Sequence, residues 1–301
     1  MKDPSDKIRR GIKIAKAYQE NDQSSCKPPT PYKHAASSFK KNLTKKSSRS
    51  KEIAIFVALE MERDILQKSL GLQSNHPDLT FSGNINFANI TLYCPGDMGR
   101  VPAAISTMAF LADYSPDLLI VAGIAGGFEE ENINLGDVII AKSIADLASR
   151  KITENTTNGS TTQEFRPKEF FLDKKILNYI SHKLDTASWE QEVLHTLEWP
   201  NGKRPTIRSG TLASLDEVIS SDEWRNNLLK AWPKLKGIEM EAGGVCAAAH
   251  EKGIDVSVIR GVSGLADPAK SDDHWRKLSM QTVGILIKQI DFNAIFATKK
   301  S

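Results

Sequence analysis

From residue 52 onward, short apolar runs alternate with segments whose apolar residues recur every three to four positions. Glu52–Leu59 (EIAIFVAL) is a near-continuous apolar run, the signature of a strand buried on both faces. It leads into EMERDILQKSLG, a helical stretch that Gly71 should close. LTFSG and NFANITLYC read as strands with a turn around Gly83-Asn84. GDMGRVPAAISTMAFLADYSP is a glycine turn and then a helix that stops before Pro116. DLLIVAGIAGGF and GDVIIAKSIADL give two more buried strands, the first running into a glycine turn at Gly123–Gly127. Residues 168–186 are predicted helical, and IRSGTLASLDEVI a strand entering a turn and helix. KGIEMEAGGVCAAAHEKG is a short strand followed by a small-residue helix ending at Gly253. DVSVIRGVSG is a further strand, and a last helix covers roughly 273–290. Strands alternating with helices predict a layered α/β domain with a largely parallel sheet.

The first 50 residues break this pattern. Residues 23–50 are rich in Ser, Lys and Pro and nearly free of aliphatic side chains, so they cannot bury enough apolar surface to offset chain entropy and read as a linker. Ahead of it, Ile8, Ile12, Ile14 and Tyr18 fall loosely on one face of a short helix within residues 5–20. That helix either docks on a protein partner or frays without a specific role. The division is therefore a basic arm at 1–50 and one domain at 51–301.

Charge follows the same division. The arm carries 13 Lys/Arg against 4 Asp/Glu, and the remaining chain 27 against 33. A basic arm on an acidic body is foremost a solvated tail; nucleic acid is not the expected partner. No run approaches the roughly 20 apolar residues that span a bilayer, so no membrane is expected. Cys26, Cys94 and Cys246 are odd in number and far apart, which suits a reducing, cytoplasmic setting. The six histidines are scattered. Neither a metal nor a cofactor is expected.

Ligands of such sheets bind at the carboxyl ends of strands. Four of these ends carry unusual polar or glycine content: Glu60/Glu62, Gly123–Gly127, Glu239-Met240-Glu241, and Ser263–Asp267. Glycines allow close approach of a ligand, yet strand-to-loop turns also use them for steric reasons alone. Glu239 and Glu241, two residues apart where a buried strand meets a helix, project to one side if the strand persists. A buried carboxylate needs donors, which sugar hydroxyls would supply. Equally, the same acids serve the positive end of the following helix.

Taken in order, ALEMER, GDMGRVPAA, GIAGGF with GDVIIA, GIEMEAGGVCAAA and VIRGVSGLAD resemble the methylthioadenosine/S-adenosylhomocysteine nucleosidase branch of the nucleoside phosphorylase superfamily. The resemblance covers about residues 52–290, and LADPAKSDDHW looks like the variety found in bacterial and fungal defence or signalling proteins. It implies a three-layer sandwich around a mixed, largely parallel sheet, and a homo-oligomer. It implies that Glu62 activates the attacking water and that Glu241 holds the ribose hydroxyls, with Glu239 beside it and Met240 packed under the sugar. Ser214–Ile219 matches the base-contacting loop, with Val218 as its apolar face, and Ile124, Ala125 and Gly126 lie near sugar and water. Phosphorylases of this superfamily place an arginine and a serine at positions here taken by Val121 and Ile124, neither able to bind an anion, which favours water as nucleophile.

One departure stands out. Purine-cleaving members follow the serine matched by Ser263 with an aspartate that serves the leaving base; here Gly264 follows. Loss of such an acid costs about 10²–10⁴ in rate. Either Asp267 substitutes, or the base leaves without an acid, or the protein binds nucleosides as a sensor or effector subunit without turning them over. The expected function is hydrolysis of the N-glycosidic bond of a purine nucleoside or nucleotide. For a nucleotide, Arg100, Lys168 and Lys270 are candidate phosphate contacts, set against the common fate of exposed charges as solvated surface.

Overall fold

The computed structural model describes residues 50–75, 80–154, 161–200, 202, 204–266 and 273–297. All but the last residue of the arm at 1–50, its candidate helix included, lies outside the described residues, as do Asp267 and Lys270.

In chain order the elements are β1 (Lys51–Phe56), α1 (Glu60–Leu70), β2 (Gln73–Asn75), β3 (Thr80–Ile85), β4 (Ala88–Tyr93), α2 (Arg100–Asp113) and β5 (Leu118–Gly127). Next come β6 (Val138–Asp146), β7 (Arg150–Glu154), β8 (Thr161–Phe165), β9 (Lys168–Phe171), α3 (Lys175–His182), α4 (Thr186–Thr196) and β10 (Ile207–Ser214). The chain ends with α5 (Asp222–Ala231), β11 (Leu235–Glu239), α6 (Ala242–Glu251), β12 (Val256–Gly264), α7 (Asp273–Gln289) and α8 (Phe292–Phe296).

The main sheet runs β11-β10-β6-β12-β5-β1-β4-β3-β2 and is mixed. β1 pairs in parallel with β4 and β5, β5 with β12, and β10 with β6 and β11, whereas β12–β6, β3–β4 and β6–β9 are antiparallel. Alternation along β1 sorts its side chains between two helix layers. Ile53 and Ile55 join Leu66 of α1 and Val283 and Leu286 of α7, while Ala54 and Phe56 join Ala103 of α2 and Val245 of α6. The result is the helix–sheet–helix sandwich.

An antiparallel contact of β11 with the end of β5 (Gly237↔Gly127, Ile238↔Gly126) closes β5, β12, β6, β10 and β11 into a ring. A Cβ on Gly237 would collide with the Gly126 carbonyl, so glycine permits the closure. Round this ring β6, β10 and β11 run one way and β5 and β12 the other.

Local expectations change in three places. The β3–β4 turn falls at Asn86-Phe87, both at positive φ (44° and 69°), and not at Gly83-Asn84. Gly123–Gly127 continues β5 instead of turning. Residues 168–186 divide into strand β9, helix α3 and the start of α4, because β9 pairs with β6. Gly71 and Gly253 end their helices in the left-handed conformation, as the sequence implied.

Candidate active site

Glu62 is the third residue of α1. Its Oε2 accepts from the Ala58 and Leu59 amides at 3.1 and 3.0 Å, the reach-back of a capping-box glutamate. Its Oε1 accepts from the Ile124 amide of β5 at 2.9 Å, which a helix cap does not require. The side chain is 1% exposed, and burial raises its pKa against the opposing pull of Arg260 and the three amides.

Arg260 of β12 is completely buried. Its Nη2 donates to Glu239 Oε2, and to Glu241 Oε2 at 3.2 Å. A Cβ at Gly123 would touch Arg260 Nη1 and lie 2.8 Å from Glu62 Oε1, so the glycine makes room for both side chains. One guanidinium thus faces three buried carboxylates: Glu62, Glu239 and Glu241.

The two acids of the EME motif divide their labour. Glu239 Oε2 also accepts from the Glu241 and Ala242 amides at 3.1 and 2.8 Å, tying the start of α6 to the end of β11. Among the described residues its buried Oε1 has no partner. Glu241 Oε1 accepts from the Gly99 amide, at the entry to α2, at 3.4 Å. Burial first, then the nearby charges of Glu239 and Glu62, push the Glu241 carboxyl up to about 7 against the opposing effects of Arg260 and Gly99. Met240 is half-buried at the bend between β11 and α6.

A second ionic group adjoins the first. The Arg100 amide donates to Asp216 Oδ1 at 2.7 Å, and Arg100 Nη1 to Asp146 Oδ1 at 3.2 Å. Ser214 Oγ accepts from the Gly243 amide at 2.9 Å. Gly244 lets α6 sit directly against the Arg100 carbonyl of α2. Arg100 therefore stands between two carboxylates, while the Lys168 ammonium lies 4.8 Å from the Phe170 ring centre.

At the expected base end, Ser263 is buried and Gly264 half-buried in register with Gly126. Val218 is 82% exposed. Ile124 and Gly126 are half-buried and Ala125 buried along β5. The structure thus brings Glu62, Ile124, Glu239 and Glu241 together. It adds Arg260 and Asp146, which sequence reasoning passed over, and Asp216, which it named only as part of the loop Ser214–Ile219. Arg260 had a signal: a charge inside an apolar strand demands a buried counter-charge. Among the described residues, no group of three or more His, Cys, Asp or Glu is placed to hold a metal ion, and no helix is long and apolar enough to cross a membrane.

The fold is that of the nucleosidases related to nucleoside phosphorylases. The Neisseria meningitidis 5'-methylthioadenosine/S-adenosylhomocysteine nucleosidase, solved with methylthio-immucillin-A, superposes with a TM-score of 0.57 at 23% identity over 80% of this chain and 100% of that one. Residues 52–290 match the phosphorylase superfamily, and the chain belongs to it. A 5'-methylthioadenosine/S-adenosylhomocysteine nucleosidase of Desulfotalea psychrophila is 26% identical over 79% of this chain and 98% of its own length. A death domain-containing ATP nucleosidase of Amphimedon queenslandica is 25% identical over 62% of this chain, a stretch that spans only 36% of that relative.

Proposed function

We propose that this protein hydrolyses the N-glycosidic bond of a purine nucleoside. The observation that carries the reading is the convergence of Glu62 and Glu241 on the buried Arg260 guanidinium. Glu62, its pKa raised by burial, is suited to act as a base. Water held against Glu62 and Arg260 attacks C1′ as it loses that proton. The C1′–N bond breaks, its electron pair leaves with the base, and the base takes a proton from solvent. Glu241, once ionised, accepts from the ribose hydroxyls, and Met240 and Ile124 border the sugar. Two nucleosidase relatives of different substrate, named above, support base release as the reaction class.

Water is favoured over phosphate as the nucleophile. Val121 is buried and apolar and Ile124 contributes only its amide, already given to Glu62. A second reading rests on Gly264, which places no side-chain acid at the base end. On that reading the pocket binds nucleosides as a sensor. The homo-oligomer implied by the resemblance has a surface to test by light scattering in the exposed apolar face Val101, Ile105 and Met108 of α2.

Incubating the full chain with adenosine, methylthioadenosine, S-adenosylhomocysteine, AMP and ATP, with and without inorganic phosphate, separates these readings by chromatography. Free base together with free sugar, independent of phosphate, is the expected result. A phosphate requirement would make the protein a phosphorylase, and tight binding with no base released would favour the sensor.

A further inference from the structure

We propose that Asp216 is a specificity-determining residue that turns nucleotides away, so that the pocket takes nucleosides without a phosphate. The proposal rests on the nucleosidase reading of the site and deepens it.

The start of α2 has the makings of a phosphate site. It is the N-terminus of a 14-residue helix, where amides and the helix dipole favour an anion, and it carries a guanidinium. Two of its amides and the guanidinium are already used by the protein's own acids. The Gly99 amide serves Glu241 and the neighbouring Arg100 amide serves Asp216. Pro102, two positions on, has no N–H to offer. The Arg100 side chain is 14% exposed and is taken by Asp146 on Nη1, with Asp216 Oδ2 3.8 Å from Nε. Among the described residues its buried Nε has no hydrogen-bond partner, and the guanidinium is flanked by an acid on two sides.

The charge balance points the same way. Glu62, Glu239 and Glu241 surround Arg260, and Asp146 and Asp216 surround Arg100. With two acids to one arginine in the Arg100 group, a phosphate arriving beside it meets net repulsion, while an uncharged nucleoside does not. Asp216 is the member most open to an incoming molecule. It is the acid of this set with the greatest exposure, 49% of its side chain, whereas the Asp146 side chain is 19% exposed and the carboxylates around Arg260 are buried. It also lies on the connection between β10 and α5, whose next residue, Glu217, is pinned by Arg150 at 2.6 Å. The acid is therefore held by its own bond from the Arg100 amide and by the anchoring of the next residue. This arrangement decides between the substrates named for the two relatives, in favour of the nucleoside.

The test compares kcat/KM for adenosine, methylthioadenosine and AMP, read as free base from the full chain. Wild-type protein should prefer the uncharged nucleosides over AMP by about 100-fold or more, since several like charges act together. Asp216→Asn should raise the AMP-to-adenosine ratio about tenfold, mainly through the KM of AMP, the size expected when one unit charge near the phosphate is removed. Asp216→Glu, which keeps the charge, should restore the wild-type ratio; a merely structural loss would lower all substrates together. Wild-type protein that cleaves AMP or ATP as well as adenosine overturns the proposal, as does a ratio unmoved in Asp216→Asn. Should no compound release base, the nucleosidase reading fails instead. Calorimetric titration with adenosine and AMP then still decides: weaker AMP binding relieved in Asp216→Asn supports the charge filter, and equal affinities sink it.

Discussion

Arg260 and Arg100 each hold acidic side chains at the same end of the sheet, yet the two groups differ in what surrounds them. Arg260 is sealed, with its carboxylate partners buried and its position set by a central strand. Arg100 opens a helix, and its partner Asp216 is half exposed on a loop. Solvent screens the second group and leaves the first in a low-dielectric setting where pKa values move. Buried charge suits proton transfer, and screened charge suits selection among incoming molecules. Chemistry is thereby assigned to the Arg260 group and recognition to the Arg100 group.

The sharpest way to break this contrast is to remove the buried cation. Arg260→Met leaves three buried carboxylates without their counter-charge and should cost about 3–5 kcal/mol of stability, seen as a lowered urea midpoint. The fully exposed alternative, a mild effect below about 1 kcal/mol, is what a screened pair would give. Next in size is Gly264→Asp. Supplying an acid beside the leaving base should raise kcat at least about tenfold, part of the usual worth of a general acid. An unchanged kcat would show that the base departs without one.

Smaller and pH-dependent is the effect of Glu241→Gln on stability. The Glu241 carboxyl is raised from 4.5 to about 7 by burial and by its acidic neighbours. A folded value above the unfolded one favours the protonated form, so its stabilising contribution is full below about 4.5 and lost as pH rises through about 7. The glutamine variant should therefore gain on wild type between these limits, by about 1–3 kcal/mol at pH 8, and match it near pH 4. Thermal melts at the two pH values read this directly; an equal offset at both would contradict the assignment.

Much of this arrangement was legible along the chain, for physical reasons. Apolar runs and helical spacing marked the strands and helices of the core, because burial imposes those periods. Glu62, Glu239 and Glu241 stood out because acids seldom occur where a buried strand ends. Arg260 was hidden inside VSVIRGVSG, where the apolar neighbours dominate the pattern. Its role appears only when β12 is laid beside β5 and β11 brings Glu239 across. The β11–β5 contact and the Asp146–Arg100–Asp216 group likewise join residues far apart in sequence, which no local period encodes. The β7–β8 pair escaped because Arg150–Glu154 and Thr161–Phe165 are largely polar, and among the described residues they form a separate two-stranded sheet. Val218, expected against the base, is exposed in the single chain.

The most direct measurement is turnover and binding by Glu62→Gln, a change of one atom that keeps the shape of the side chain. If Glu62 takes the proton from the attacking water, base release from adenosine or methylthioadenosine should fall by about 10²–10⁴ while nucleoside affinity stays within a few-fold. Wild-type turnover in the variant would contradict the role given to Glu62 and, with it, the chemistry assigned to the buried group.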